Sequence, residues 1–170
     1  GYMTDDYNLW PTFTKFIILL LFFIGGCSSS TAGGIKCVRI HGALKLILRG
    51  IYSRLHPNII SPVTFNGKEM SNVLAIKIAN FIFTYMVLIA GGTIILSING
   101  FDFMTNFSTA ISCLGNIGPG FNLVGPALNY SIFNDFSKLV CSFLMITGRL
   151  ELYTVLVLFS RNYWNPNKLR

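Results

Sequence analysis

The chemistry open to this chain lies in its backbone and in a few isolated charges. The run Gly115-Asn116-Ile117-Gly118-Pro119-Gly120 sets three glycines and a proline within six residues. That composition forbids regular helix and allows an extended backbone whose carbonyl oxygens can replace the hydration shell of a cation. A second run, Gly25-Gly26-Cys27-Ser28-Ser29-Ser30-Thr31-Ala32-Gly33-Gly34-Ile35-Lys36, puts small, polar, helix-breaking residues where an apolar span should continue. A third, Gly148-Arg149-Leu150-Glu151, brings two charges into an otherwise apolar stretch. A charge in a membrane span is costly, normally faces the protein interior, and marks an ion path or a pairing. Arg149 and Glu151 are two positions apart, so they point to different sides of a helix and do not pair with each other. Arg149 therefore either faces a pore or ties down backbone carbonyls of the broken span, and Glu151 reads as a loop or helix anchor.

Other chemistries lack their parts. The Gly-rich stretch has no following Gly-Lys-Ser/Thr and follows a membrane span, not a buried strand, so it does not make a nucleotide loop. The serine run has no partnered base, because His41 and His56 fall in the basic segment. Cys27, Cys37, Cys113 and Cys141 form no CxxC pair and have no histidine at ligand spacing, and they read as small apolar fillers. No enzyme is expected.

The elements that position these runs read as membrane helices. Hydrophobic residues make up 52% of the chain and charged residues 11%, against about 25% charged in an average soluble domain, and the mean hydropathy is +0.60. Residues 16–24 are apolar without a break. Unwound backbone beyond them leaves N–H and C=O groups unpaired at several kcal/mol each, tolerated only inside protein or along a water-filled path. Broken spans of this kind point to transport. The first span covers residues 9–36, with Trp10 and Pro11 at the outer interface. Residues 41–56 alternate Leu44, Ile47, Leu48, Ile51 and Leu55 with Lys45, Arg49 and Arg54 at helical spacing, an amphipathic helix that packs on the protein or on lipid headgroups at the inner surface. A second span covers 72–98, with Lys77 free to snorkel. Residues 103–114 are too short to cross a bilayer, which needs roughly 20, and fit a re-entrant helix. A third span covers 136–159.

The formal net charge of +7 would suggest nucleic acid if it formed a patch on a soluble surface. Instead residues 36–68 and the tail with Arg161, Lys168 and Arg170 hold most of it, while Asp5, Asp6, Asp102 and Asp135 fall on the other side of the spans. This positive-inside pattern places the basic segments and the C-terminus in the cytoplasm. With Gly1 at its start and no signal-peptide pattern, the chain reads as the C-terminal portion of a longer protein.

Span, short re-entrant helix, Gly-rich extended segment and span is the layout of one cation-channel repeat; the alternative is that Gly118 and Gly120 only make a surface turn. Three motifs go further: Phe23-Ile24-Gly25-Gly26-Cys27 to Gly33-Gly34-Ile35-Lys36, Asn116-Ile117-Gly118-Pro119-Gly120, and Gly148-Arg149-Leu150-Glu151 followed by the apolar 155–159. In that order and spacing the chain resembles the TrkH and KtrB subunits of bacterial Trk/Ktr potassium uptake systems, which are related to plant and fungal HKT and Trk transporters. The resemblance implies an all-α membrane fold of span–pore helix–span repeats, four around one pore. On that frame, residues 1–37 are the second span of the third repeat with its gating loop, 38–71 a cytoplasmic amphipathic helix and connection, 72–161 the fourth repeat, and 162–170 a cytoplasmic tail.

The resemblance also implies roles. Gly1 is the filter glycine of the third repeat and Gly118 that of the fourth, flanked by Asn116, Ile117 and Pro119, with K⁺, or Na⁺ as the other candidate, on the backbone of Gly118 and Asn116. Gly25, Gly26, Ser28, Ser29, Ser30, Thr31, Gly33, Gly34 and Lys36 form an intramembrane gating loop beneath the filter, Arg149 regulates permeation from the pore side, and Glu151 anchors a loop or helix. The implied function is channel-like potassium uptake across the cytoplasmic (inner) membrane. A cell interior about 100 mV negative supplies roughly 2.3 kcal/mol per entering monovalent cation, so no nucleotide hydrolysis is needed in this subunit. No covalent cofactor and no nucleic acid are expected. The implied partners are membrane lipid, the remaining repeats, a second copy of the subunit in a homodimer, and a cytosolic nucleotide-binding regulatory subunit of the TrkA/KtrA kind. The rival readings are a non-transporting membrane scaffold whose glycines serve helix packing and a secondary transporter with discontinuous helices.

Overall fold

A computed structural model describes residues 3–27, 30, 32–56, 64–65, 68–150, 152–159 and 163–164. They form six α-helices: α1 (Thr12–Ile24), α2 (Cys37–Leu55), α3 (Asn72–Leu96), α4 (Phe103–Gly115), α5 (Asp135–Arg149) and α6 (Leu152–Leu158). A small antiparallel ladder, β1 (Thr64–Phe65) with β2 (Lys68–Glu69), lies between α2 and α3. Everything near the site is helix or its connections, and the protein is an all-α membrane protein.

α3 is the one described helix long and apolar enough by itself to cross a bilayer, running with its closing 3-10 turn over Asn72–Asn99. Ser71 starts it by accepting a hydrogen bond from the Leu74 N–H, a cap that satisfies one of the four orphan donors at a helix start. α1 is apolar but has only 13 residues, about 20 Å of helix, too short to span. It stops where Gly25 takes φ 66°.

The third span departs from expectation. The stretch expected as one span over 136–159 is two helices, α5 and α6, whose axes meet at 119°. Gly148, a poor helix former, lies against the end of α4, and Leu150 closes α5. α6 then turns towards α3, where Tyr153 meets the Phe81 ring edge-on at 6.3 Å.

α4 is the centre of the fold. It packs against α1, α3 and α5, and its residues from Ser108 to Gly115 are all buried. The surrounding core takes Phe81, Tyr85, Ile89 and Leu96 from α3, Ile111 and Leu114 from α4, and Leu144 from α5, each large side chain worth about 1.5–3 kcal/mol of burial. Several polar groups inside α4 are paired locally: the Thr109 hydroxyl donates to the Thr105 carbonyl at 2.7 Å, and the Asn106 amide nitrogen donates to the Phe101 carbonyl at 2.9 Å.

α2 is amphipathic as expected, but the face it packs is not its large apolar one. Gly42 sits against Ile78 of α3, with Ala43 and Leu46 beside Met70 and Ile78. Leu44, Ile47, Leu48, Ile51 and Leu55 remain exposed. Phe13, Phe16 and Leu20 of α1 and Phe83 and Ile94 of α3 are exposed too, an apolar surface suited to lipid and neighbouring helices, not to water.

Candidate functional site

The site grows from the two ends of α4. At the start, the Asp102 carboxylate caps the helix, accepting from the Thr105 N–H at 3.2 Å and from the Thr105 hydroxyl. It also accepts from the Asn122 amide at 2.8 Å, which ties the helix start to the chain beyond the Gly-rich segment. Burial alone would raise the Asp102 pKa; the hydrogen bonds from Thr105 and Asn122 outweigh it and hold the carboxyl below its ordinary value. At the other end Asn116 takes the left-handed conformation at φ 52° and ψ 43°, and the Ile117 N–H returns to the Ser112 carbonyl at 3.0 Å. The C-terminus of a helix carries about half a negative charge, and here it abuts the segment that follows.

That segment is held from behind by four hydroxyls. Gly118 turns at φ 114°, a conformation that favours glycine. Its carbonyl accepts from Ser112 Oγ at 2.9 Å and from the Tyr130 hydroxyl at 2.5 Å, and Ser112 Oγ is also 2.9 Å from the Pro119 carbonyl. The Gly120 carbonyl accepts from the Tyr7 hydroxyl, and Ser108 Oγ accepts from the Phe121 N–H at 2.8 Å. Burial, with Asp6 second, pushes the Tyr7 hydroxyl up to about 12, so it stays a donor. Phe121 is wedged between Tyr7 and Phe22, ring centroids 5.1 and 5.7 Å away.

The expected carbonyl pair is therefore divided. A carbonyl oxygen has two lone pairs, and in this structure two hydroxyls occupy those of Gly118. No described residue donates to the Asn116 or Ile117 carbonyl. The Asn116 side chain is turned aside, its amide donating to the Met145 carbonyl of α5 at 3.1 Å.

The loop after α1 folds back on itself at two glycines, Gly25 at φ 66° and Gly34 at φ 83°. A β-carbon on Gly25 would lie 2.5 Å from the Gly33 carbonyl oxygen. Bonds from the Ile35 N–H to the Phe23 carbonyl at 3.3 Å and from the Cys37 N–H to the Gly26 carbonyl at 3.2 Å close its mouth, and Ser30 Oγ accepts from the Ala32 N–H. At Gly33 the loop reaches the end of α4: a β-carbon there would lie 2.7 Å from the Gly115 carbonyl oxygen. From the other side a β-carbon on Gly148 would lie 1.9 Å from the Leu114 carbonyl oxygen. The last turn of α4 is thus held between two glycines of different elements.

The structure sets Gly33 against Leu114 and Gly115, directly before Asn116, Ile117, Gly118 and Pro119, while Gly25, Gly26, Ser30 and Gly34 make contacts within the loop and with the helix ends that flank it. Lys36, at φ 71°, instead leads into α2. Arg149 is exposed in the last turn of α5, where a positive charge suits the helix end. Gly1, Ser28, Ser29, Thr31 and Glu151 lie outside the described residues. Sequence reasoning missed Tyr7, Ser108, Ser112 and Tyr130, and held Gly148 only as part of a motif, with no role of its own. Ser108 and Ser112 left a trace, being four apart and so on one face of α4; the two tyrosines are too distant in sequence to leave any.

Comparison with known proteins agrees with this architecture. A family model described as the cation transport protein TrkH matches residues 1–166. The chain is similar to the Trk system potassium uptake protein TrkG of Escherichia coli (strain K12), 36% identical over 164 residues that make up 96% of this chain and 33% of that protein. It is 33% identical over 165 residues to the Trk system potassium uptake protein TrkI of Halomonas elongata, covering 96% of this chain and 34% of that one. The crystal structure of the potassium transporter TrkH from Vibrio parahaemolyticus superposes with a TM-score of 0.88 at 30% identity, over 97% of this chain and 35% of that one. The chain spans about a third of the length of these relatives. With a family model matched across nearly all of its residues and a shared fold to go with it, the chain belongs to the TrkH family of cation transport proteins, a family of transporters and not of enzymes.

Proposed function

We propose that this chain forms part of a potassium uptake pathway in the cytoplasmic membrane, in which open backbone carbonyls strip water from the ion and the Gly25–Lys36 loop opens or blocks the route. The choice of potassium follows the relatives, which are named as potassium uptake proteins. The observation that carries the reading is the clamp on the last turn of α4, Gly33 of the loop on one side and Gly148 of α5 on the other. Because the loop touches the helix end that carries the filter, its movement changes the filter's support directly.

In this mechanism the Asn116 and Ile117 carbonyls replace water on the cation, at the negative end of α4. Gly118 supplies the turn, and Ser112, Tyr130 and Tyr7 hold its strand in place. Arg149, one position past Gly148, modulates permeation from the rim, and Glu151 anchors the segment beside it. A negative cell interior drives inward flux. The assembly is a homodimer with a cytosolic nucleotide-binding regulatory subunit on the basic face, and the C-terminus is cytoplasmic.

The test is rubidium uptake into cells lacking their own potassium systems, using the protein expressed from its complete reading frame, with Gly118→Ser at equal membrane abundance. Uptake that loses its preference for rubidium over sodium in Gly118→Ser is the expected result. No uptake, even with the cytosolic partner supplied, would leave the scaffold reading in its place.

A further inference from the structure

The Gly-rich segment after α4 is also gripped at its far end, by residues that precede α1. Tyr7–Leu9 form a short 3-10 turn, fixed by the Asp6 carboxylate, which accepts from the Asn8 N–H at 2.9 Å. Out of that turn two neighbouring side chains reach the chain beyond Gly118. Tyr7 donates its hydroxyl to the Gly120 carbonyl. Asn8 makes two bonds: its carboxamide oxygen accepts from the Asn122 N–H at 3.0 Å, and its amide nitrogen donates to the Asn122 carbonyl at 3.3 Å. One side chain thus pairs with both backbone polar groups of a residue 114 positions away.

Two bonds to one residue do what one cannot. The bond from Tyr7 sets a distance but lets the Gly120 peptide pivot about it, whereas the carboxamide, donor and acceptor in one plane, holds the peptide groups on both sides of the Asn122 Cα. Asn122 needs such a hold. It stands at φ 54°, a left-handed conformation uncommon for any residue with a side chain and visited mainly by asparagine and aspartate among them. Its own amide reaches the Asp102 carboxylate at the start of α4 at 2.8 Å. The Gly125 N–H donates to the Asn122 carbonyl at 3.1 Å and the Gly120 N–H to the Val124 carbonyl at 2.7 Å, so residues 120–125 close on themselves. The seat fits Asn8 closely: a β-carbon on Gly125 would lie 2.0 Å from the Asn8 amide nitrogen. The carbonyls of Asn116 and Ile117 are therefore carried on a short stretch pinned by α4 at one end and by Gly118 to Asn122 at the other. A shift at Asn122 has only a few peptide units over which to relax.

We infer that Asn8 is a positioning residue for ion selection: its carboxamide fixes Asn122 and, through it, the pose of the Gly118–Gly120 segment, so that the turn before α1 sets the spacing of the carbonyls that meet the cation. The inference rests on the ion pathway proposed above and names a residue that tunes it. Asn8 acts through the backbone and not on the ion.

The experiment is the concentration dependence of rubidium uptake, with sodium as competitor, in cells lacking their own potassium systems, with the protein expressed from its complete reading frame at equal membrane abundance. Asn8→Ala should raise the KM for rubidium about three- to tenfold, the size of one net hydrogen bond, and lower the preference for rubidium over sodium, with the maximal rate little changed. Asn8→Asp, which keeps the acceptor and puts a second oxygen in place of the donor, should be no better than alanine. Gly125→Ala reaches the same place with Asn8 intact: at φ −64° alanine suits the backbone, and its methyl displaces the end of a flexible side chain, so this variant carries the test if Asn8→Ala does not fold. Its effect should match that of Asn8→Ala, and the double variant should be no worse than either single one. Leu9→Ala, at a neighbour 84% exposed, should leave KM and preference unchanged. If Asn8 only stabilised the fold, its loss would lower the maximal rate and leave KM and preference alone; that result, or additive effects of the two alanines, would overturn the inference. Wild-type uptake that Gly118→Ser alters and neither alanine does would overturn it too and leave the pathway standing, whereas no wild-type uptake would remove both.

Discussion

The Cα of Gly148 in α5 stands so close to the carbonyl oxygen of Leu114 in α4 that a β-carbon there would lie 1.9 Å from it. Two helices meet here with no side chain between them, and the contact falls one residue before the end of α4. On that account Gly148→Ala forces the helices apart, an overpacking that costs about 1–3 kcal/mol. The expected outcome is a lower thermal midpoint in detergent together with altered rubidium-to-sodium selectivity. Gly91→Ala in α3 is the control, since a β-carbon there meets nothing within 4 Å and alanine favours the helix; it should be neutral or slightly stabilising.

Ser112 shares its one hydroxyl proton between two successive carbonyls, those of Gly118 and Pro119, each at 2.9 Å. Ser112→Ala removes that hold, at about 1–3 kcal/mol for a carbonyl left without its donor. Tyr130→Phe removes the second donor to Gly118. Each variant should lower selectivity, and because both act on one carbonyl their effects should not add. A double-mutant cycle on rubidium-over-sodium uptake tests this, and simple additivity would count against a shared role.

Gly33→Ala places a methyl 2.7 Å from the Gly115 carbonyl oxygen. The partner that gives way is the Gly33 backbone, since the α4 end is fixed by Gly148 and by the bond from Asn116 to Met145. The loop should therefore move off the filter, and basal rubidium uptake should rise at equal membrane abundance. Reduced uptake with intact folding would mean that the loop supports the filter and does not block it.

Asp102 ties the start of α4 to Asn122 and is held below the ordinary carboxylate range. A carboxylate whose folded pKa is depressed contributes stability that is present above its unfolded pKa and is lost as pH falls through the folded one. Asp102→Ala should therefore cost about 0.5–2 kcal/mol at neutral pH, the range for losing a helix cap. The gap between wild type and variant in thermal unfolding should stay constant down to about pH 4 and shrink below it. A gap that widens with acid would reverse the sign argued here.

By itself the sequence determined the membrane class, the short helix too brief to span, and the two glycine-rich breaks, because apolar run length and the φ freedom of glycine are local properties that neighbouring residues write directly. It also located the non-helical segment around Gly118 and the start of the Gly25 loop. What it could not settle was orientation across the fold. Residues 136–159 carry enough apolar length for one span, yet the approach of Gly148 to Leu114 and of Tyr153 to Phe81 breaks them into α5 and α6. The same holds for α2, whose large apolar face lies outward while Gly42, with Ala43 and Leu46, takes the contact with Ile78 and Met70. Above all, which carbonyls stay open depends on hydroxyls brought in from far away. Tyr7 is 113 residues from Gly120, and such a pairing exists only once the helices have packed, because no local pattern constrains a contact whose loop is most of the chain.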